Sequence, residues 1–291
     1  MVKEVLQWYG AMIEKALDRA MPREECPQRE VFEACRYSLL AGGKRIRPCL
    51  LLEFYRLCGG NPQDALAFAC GLEMIHTYSL IHDDLPCMDN DDYRRGRPSN
   101  HKVYGAGMAT LAGDALLTRA FEVMLSQDRI PPERAIKAAA YIAGCSGVYG
   151  MIGGQVQDLA LEKQRATEAQ LTRMVDGKTA ALLRAACVGG CLLAGGKEAQ
   201  LRAAEDYASA LGLAFQLRDD VLDVTGNSAE LGKNTGSDAA NGKSTFVTLY
   251  GLEGCARQLE KLTERAVRAA ETFRDYAFLV QLAQELARRT H

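Results

Sequence analysis

Apolar residues recur at three- and four-residue steps along almost the whole chain, with charged residues between them. In residues 2–19, for example, Val2, Leu6, Tyr9 and Ile13 fall on one stripe. This period is typical of an amphipathic α-helix. The same pattern predicts further helices over 30–40, 45–58, 63–85, 107–126, 133–149, 168–193, 197–225 and 254–288. No segment of the sequence shows sustained strand-like alternation between hairpin turns.

The predicted helices are separated by short segments rich in Gly, Pro, Asn and Asp, which favour turns. These segments are residues 58–62, 85–100, 126–132, 194–197 and 225–244. No shift in composition marks a linker, and the sequence contains no regular short repeat. We therefore predict a single all-α domain over residues 1–291.

The composition, 48% hydrophobic and 25% charged residues, is typical of a folded globular protein. A net charge of −2 gives no overall field for a polyanion, so we expect no nucleic-acid partner. The longest uncharged apolar run, residues 185–196, is shorter than the roughly 20 residues of a membrane span, so we expect no membrane insertion. The amino terminus lacks a signal-peptide block, and the ten cysteines include no C-x-x-C pair. Together these features indicate a cytoplasmic protein with reduced thiols.

Two groups of aspartates follow apolar helical runs. Asp219 and Asp223 stand four residues apart, so they stack on one helix face beside Asp220 and repel each other. The other group is Asp83, Asp84 and Asp89. Pro86 disfavours the helical conformation of the residue before it, so the helix should end there and let Asp89 fold back beside Asp83.

One such group fits a solvated helix end about as well as a metal site. Two groups, each followed by lysines or arginines, favour Mg²⁺, which binds one or two carboxylates and completes its shell with phosphate oxygens and water. A diphosphate substrate is the resulting hypothesis. Cations that could contact its oxygens are clustered in loops or stand in apolar helices; they are Lys44, Arg45, Arg47, Arg94, Arg95, Lys178, Lys233 and Lys243.

The motifs GGKRIRP (42–48), HTYSLIHDDLPCMDNDDYRRGRPSNH (76–101), GGQVQDL (153–159), GKT (177–179), FQLRDDVLD (215–223), LGKNTGSD (231–238) and GKSTF (242–246) occur in this order. The set resembles the bacterial-type trans-isoprenyl diphosphate synthases, most of all the farnesyl diphosphate synthases. The resemblance implies the all-α isoprenoid-synthase bundle around a deep central cavity, and usually a homodimer.

The resemblance also implies a role for each matching position. The six aspartates, Asp83, Asp84, Asp89, Asp219, Asp220 and Asp223, would hold about three Mg²⁺ ions on the diphosphate of an allylic substrate. That diphosphate would also contact Arg94, Lys178, Lys233 and Lys243. Isopentenyl diphosphate would bind to Lys44, Arg47, His76 and Arg95. Thr179, Gln216 and the Lys178 carbonyl would stabilise the allylic cation, so the catalytic set is Lys178, Thr179, Gln216, Asp83 and Asp219.

The implied reaction is a head-to-tail condensation of isopentenyl diphosphate with dimethylallyl or geranyl diphosphate, by ionisation, condensation and loss of a proton. Tyr78 and Ser79 precede Asp83 by five and four residues, where a bulky side chain could floor the channel for the growing chain. In the resembling group a bulky residue there accompanies a fifteen-carbon product and a smaller one a twenty-carbon product. Farnesyl diphosphate is therefore the predicted product, with geranylgeranyl or geranyl diphosphate as alternatives. An ordinary core aromatic is the other interpretation of Tyr78.

Other classes fit less well. A terpene cyclase typically mixes Asn, Ser and Glu in its second metal motif, where this chain has aspartates. A His-Asp phosphohydrolase needs several histidine ligands, and the chain has four histidines in all. A non-catalytic partner subunit would be expected to lack the aspartates. Gln155 and Asp158, three residues apart on one predicted helix face, are interpreted as hydrogen-bonding residues of the cavity wall.

Overall fold

The computed structural model describes residues 2–162, 164–225 and 244–289, which fold into helices joined by short loops. The all-α prediction is confirmed, since one hairpin of two-residue strands is the only sheet in these ranges. The helices are α1 (Val2–Ala20), α2 (Arg29–Leu39), α3 (Ile46–Leu57), α4 (Leu66–Asp83), α5 (Asn100–Tyr104), α6 (Ala106–Leu125), α7 (Pro132–Ser146), α8 (Met151–Leu161), α9 (Glu168–Val175), α10 (Ala181–Ala194), α11 (Glu198–Thr225), α12 (Phe246–Ala270) and α13 (Ala277–Arg288). The hairpin pairs β1 (Tyr93–Arg94) with β2 (Arg97–Pro98).

The structure divides two of the predicted helices. The segment predicted over 168–193 contains a π-helical turn, Asp176–Ala180, between α9 and α10. The segment predicted over 254–288 is interrupted between α12 and α13, although it contains neither glycine nor proline at the break. There the buried Phe273 ring packs edge-on against Phe54, with centroids 5.2 Å apart. Tertiary packing of this ring therefore overrides the local helical pattern.

The core lies where α3, α4, α10 and α11 pack together. Helix α10 is buried along almost its whole length and contacts α3, α7 and α11. Helix α4 runs along α6, and α11 runs along α12. The carboxyl-terminal parts of α4 and α11, which carry the two aspartate groups, are thereby held on a rigid framework.

Two described stretches, Pro132–Leu161 and Glu168–Ala194, are long and apolar enough to cross a membrane by length and composition alone. Neither stretch is an uncharged run, because each includes a few charged residues. In the second stretch, 72% of the most apolar window is buried inside the protein. Helices that are hydrophobic on every face also occur in the cores of large proteins, so this is weak support for a membrane span. All ten cysteines are free thiols.

Candidate active site

The first aspartate group lies where α4 ends. Asp83 is the last residue of α4, and the backbone N–H of Asp89 donates to its carbonyl oxygen at 2.9 Å. The predicted fold-back of Asp89 is therefore confirmed. Asp84 is 2% exposed and accepts a hydrogen bond from Arg94 Nε at 2.9 Å. Burial raises the pKa of both carboxyls; the charge of Lys178 partly opposes this at Asp83, and hydrogen bonding from Arg94 does so at Asp84.

A close contact between two glycines brings α8 and the π-helical turn to this group. A Cβ on Gly154 would lie 2.0 Å from the backbone nitrogen of Lys178, and one on Gly177 would lie 2.8 Å from Gly154 Cα. Because neither residue has a side chain, the two backbones can touch. The GGQVQDL and GKT motifs thus each supply a glycine that lets these two segments pack together.

From this contact, α8 presents two hydrogen-bonding side chains. Gln155 Nε2 donates to Asp83 Oδ1 at 2.6 Å, and Lys178 Nζ donates to Asp158 Oδ2 at 2.5 Å. Lys178 Nζ also lies 3.9 Å from Asp83 Oδ2. Burial lowers the pKa of Lys178, but the charges of Asp83 and Asp158 outweigh that effect and raise it above its ordinary value. Lys178 is therefore a charged lysine held between two carboxylates.

The second aspartate group lies in the last turns of α11. Gln216 Nε2 donates to Asp220 Oδ1 at 3.0 Å, and the backbone N–H of Phe246 donates to Asp220 Oδ2 at 2.8 Å. Thr179 Oγ1 lies 3.3 Å from Gln216 Oε1. A cavity of about 150 Å³ is lined by Lys178, Gln216 and Asp220. Lys178 therefore links the two aspartate groups, because it also lies beside Asp83.

A second cavity, of about 170 Å³, collects all four residues predicted for isopentenyl diphosphate: Lys44, Arg47, His76 and Arg95. Burial lowers the pKa of Lys44, Arg47 and Arg95. The Nε of Arg47 is buried and has no hydrogen-bond partner among the described residues. A buried donor without an acceptor is costly, so an anion in this cavity would be stabilised.

His76 is neutral in this cavity. Burial, followed by the charges of Arg47 and Arg95, holds its pKa well below the ordinary value. Arg47 Nη1 lies 3.3 Å from His76 Nε2, a contact in which a neutral ring accepts through its unprotonated nitrogen. The histidine thus orients an arginine without adding charge.

The second cavity also contains a stacked pair that the sequence analysis did not predict. Phe215 and Arg289 line it, and the Arg289 guanidinium lies 4.0 Å above the Phe215 ring. Arg289 also forms an ion pair with Asp219, 70 residues away along the chain. Its Nε is buried without a hydrogen-bond partner among the residues described. No sequence spacing signals this contact, because only the packing of α13 on α11 creates it.

The chain-length residues lie elsewhere. Tyr78 is 5% exposed and packs edge-on against His82, with ring centroids 5.7 Å apart. Its hydroxyl has no hydrogen-bond partner in the described parts of the chain, and burial raises its pKa to about 12. Ser79 donates to the His76 carbonyl at 2.9 Å. Neither Tyr78 nor Ser79 lines either cavity. Lys233 and Lys243 lie outside the described residues.

The carboxylates suit Mg²⁺ in their chemistry. Both groups offer hard oxygen donors, and Asp84, Asp220 and Asp223 are each buried. Among the described residues, no three His, Cys, Asp or Glu side chains converge closely enough to form a complete metal site. That fits an ion that takes one or two carboxylates and draws its other ligands from substrate and water. Predicted metal ligands instead pair with cations, as Asp84 does with Arg94 and Asp83 with Lys178.

Comparison with known proteins identifies the family to which the chain belongs. The chain is 49% identical to geranylgeranyl pyrophosphate synthase 3, chloroplastic, of Arabidopsis thaliana over 259 residues, which cover 87% of this chain and 71% of the relative. It is 42% identical to the farnesyl diphosphate synthase of Geobacillus stearothermophilus, over 100% of this chain and 98% of the relative.

The crystal structure of an FPP/GFPP synthase of Zymomonas mobilis superimposes with a TM-score of 0.89 at 34% identity, covering 98% of both chains. The family model described as polyprenyl synthetase matches residues 28–281. This match spans every motif that carries the two aspartate groups and the two cavities. The chain therefore belongs to the polyprenyl synthetase family, the trans-prenyl diphosphate synthases.

Proposed function

We propose that this protein condenses isopentenyl diphosphate with dimethylallyl and then geranyl diphosphate to give farnesyl diphosphate. The observation that carries the two-substrate reaction is a pair of cavities lined by successive residues of α11, Phe215 in one and Gln216 in the other. One has the cations Lys44, Arg47 and Arg95 around a neutral His76, and the other has Lys178 beside the carboxylates. Two anion sites on the same helix suit a transfer between two diphosphates.

The two aspartate groups are the proposed metal ligands: Asp83, Asp84 and Asp89 in one, and Asp219, Asp220 and Asp223 in the other. Bound Mg²⁺ would neutralise charge on the departing diphosphate and so favour ionisation of the allylic C–O bond. Arg94 and Lys178, which form ion pairs with Asp84 and Asp83, are the proposed contacts of the phosphate oxygens.

Thr179 and Gln216 are the proposed groups that stabilise the allylic cation. Because Gln216 donates through its amide nitrogen to Asp220, its carbonyl oxygen is turned toward Thr179, whose hydroxyl lies 3.3 Å away. The negative end of the amide dipole would thus face the developing positive charge, and it is fixed before reaction. Leu171, Met174 and Val175 line the same cavity and would exclude water from the cation.

The observation that supports a fifteen-carbon product is Tyr78. This bulky side chain is buried in α4, five residues before Asp83, where the resemblance associates a large residue with farnesyl diphosphate. A relative named farnesyl diphosphate synthase also matches the whole chain. Geranylgeranyl diphosphate is the second candidate, because a relative named geranylgeranyl pyrophosphate synthase has the higher identity, 49%.

Product analysis tests these proposals. Purified protein is incubated with dimethylallyl and isopentenyl diphosphates, with Mg²⁺ or with excess chelator, and the dephosphorylated products are separated by chain length. We expect farnesol as the main alcohol and no product with chelator. Geranylgeraniol as the main product would establish the second candidate. Absence of product with Mg²⁺ present would favour a non-catalytic partner subunit.

We also propose that the enzyme is a cytoplasmic homodimer, as the resemblance implies. The large apolar side chains left exposed in the described chain are concentrated in and around α6–α8, a surface that a second copy would cover. They are Val103, Leu111, Leu125, Ile136, Val148, Tyr149, Ile152, Val156 and Leu159. Size-exclusion chromatography with light scattering should give about twice the 31.8 kDa of one chain. A monomeric mass at micromolar concentration would reject the dimer.

A further inference from the structure

Arg45 lies among the cations of the second cavity, yet each of its three guanidinium nitrogens donates to the protein. Its Nε donates to Glu14 Oε1 at 2.7 Å, its Nη1 to Glu73 Oε1 at 2.5 Å and its Nη2 to the Leu39 carbonyl at 2.6 Å. The side chains of Arg45 and Glu73 are each 2% exposed. Arg45 therefore differs from Arg47, whose Nε is buried without a partner among the described residues.

The backbone of Arg45 is unusual as well. With φ 47° and ψ 34°, it adopts the left-handed conformation immediately before α3. This conformation is unfavourable for a residue with a side chain, so surrounding contacts must hold it. Gly42 and Gly43 also have positive φ, so three of the four residues before α3 depart from ordinary backbone conformations. This turn places Lys44 and Arg47 on the cavity wall.

Helix α4 supports the loop at two points on one face. Glu73 binds Arg45, and His76, three residues later, contacts Arg47. Arg95 approaches from the other side, donating to the Gly42 carbonyl, and a Cβ on Gly43 would lie 2.9 Å from its guanidinium carbon. Contacts from α4 and from the hairpin thus hold the loop in place.

Glu73 also acts on the other two arginines of the cavity. Burial lowers the pKa of Arg47 and of Arg95, and the charge of Glu73 opposes this effect at both. Glu73 therefore stabilises the positive charge of two arginines in a cavity that is partly shielded from water.

We propose that Arg45 is a positioning residue for the isopentenyl diphosphate site: clamped by Glu14, Glu73 and the Leu39 carbonyl, it holds the 42–47 loop in the turn that presents Lys44 and Arg47. This role rests on the proposed function, which supplies the ligand. Each guanidinium nitrogen of Arg45 already donates to the protein. Loss of the clamp would misplace the two cations while leaving the allylic site intact, because Lys178 and its hydrogen-bond partner Asp158 belong to other elements.

The test measures the two substrates separately. In Arg45→Lys and Glu73→Gln, we expect the KM for isopentenyl diphosphate to rise about tenfold or more, and the KM for geranyl diphosphate to stay within about twofold. Glu14→Gln should give a smaller rise, because the Glu14 side chain is 41% exposed and the buried Glu73 contact remains. This third variant is also the least disruptive to folding.

Arg56→Lys is the matched control. Arg56 pairs with the buried Glu53 at 2.8 Å, so its replacement should lower the unfolding temperature as Arg45→Lys does. It lies outside both cavities and should leave both KM values unchanged. If Arg45→Lys raises both KM values equally, or neither, Arg45 is merely structural and the positioning role is rejected.

Arg47→Gln separates that failure from a failure of the proposed function. If this variant weakens use of isopentenyl diphosphate while Arg45→Lys does not, the site stands and the positioning role alone fails. If Arg47→Gln leaves the KM for isopentenyl diphosphate unchanged, the site assignment is wrong, and the positioning role falls with it. If Arg45→Lys and Arg47→Gln each raise the KM for isopentenyl diphosphate selectively, the site assignment and the positioning role are both supported.

Discussion

Gln155 Nε2 donates a hydrogen bond of 2.6 Å to Asp83 Oδ1, across 72 residues of chain. Asp83 is a proposed metal ligand, and Gln155 fixes which way its carboxylate points. Outer partners of this kind orient a metal ligand, and their loss commonly weakens metal binding. The glycine contact between α8 and the π-helical turn makes the hydrogen bond possible.

We therefore expect Gln155→Ala to raise the Mg²⁺ concentration needed for half-maximal activity about tenfold, since second partners of metal ligands typically contribute 10–100-fold. The measurement is initial rate against free Mg²⁺. Gln157→Ala is the control, because Gln157 is an exposed glutamine on the same helix. Identical Mg²⁺ curves for Gln155→Ala and the wild type would contradict the orienting role.

Asp219 tests the second aspartate group. Asp219→Ala should lower kcat by about 10²–10³-fold, the typical effect of removing one preorganised group that stabilises transition-state charge. Asp206→Ala on the same helix is the control, because Asp206 forms an exposed ion pair with Arg265 at 2.8 Å. Such a pair contributes roughly 0–1 kcal/mol to stability, and its loss should leave kcat unchanged. Equal turnover by Asp219→Ala and the wild type would reject a metal-binding role for this residue.

Tyr78 tests the control of chain length. Tyr78→Ala should shift the main product from fifteen to twenty or more carbons, because it removes the bulk of a buried ring beside the first aspartate group. The cavity should also lower the free energy of unfolding by about 3–5 kcal/mol, the usual cost of such a truncation. Product chromatography and urea unfolding measure the two effects, and an unchanged product length would show that Tyr78 is only a core aromatic.

The hydroxyl of Tyr78 gives a sharper comparison. Since this buried hydroxyl has no hydrogen-bond partner in the described residues, Tyr78→Phe should keep both the product and the stability of the wild type. Tyr207→Phe is the matched change, because the Tyr207 hydroxyl donates to the Leu279 carbonyl at 2.8 Å. Its loss should cost about 0.5–1.5 kcal/mol or more. If Tyr78→Phe destabilises as much as Tyr207→Phe, the Tyr78 hydroxyl has a partner.

His76 makes stability depend on pH. Its pKa is held well below 6.5 in the folded protein, so as pH falls the unfolded chain takes up the proton first. The contribution to stability is therefore fully present above about pH 6.5 and is lost below it, by at most about 1.4 kcal/mol per pH unit. Urea unfolding at pH 7.5, 6.5 and 5.5 should show a smaller loss in His76→Asn than in the wild type. Equal slopes would mean that His76 takes up a proton as readily in the folded protein as in the unfolded chain.

Much of the fold can be predicted from local patterns in the sequence. The three- and four-residue apolar steps predict most of the helices, since an amphipathic stripe depends on near neighbours in the chain. Pro86 likewise predicts the end of α4 and the fold-back of Asp89. The break between α12 and α13 is not predicted, because it follows from the packing of Phe273 on Phe54. The two-residue hairpin is too short to produce a periodic pattern.

The sequence by itself determined the all-α class and the two aspartate groups, because these depend on residue type and short spacing. The resemblance of its motifs also indicated Lys44, Arg47, His76 and Arg95, which line one cavity in the structure. Only the tertiary structure decided the partners of these residues: Gln155 on Asp83, Arg289 on Asp219, and Arg45 held by Glu14 and Glu73. These contacts join segments far apart in the chain. They form only when α4, α8, α11 and α13 pack together, so no local spacing encodes them.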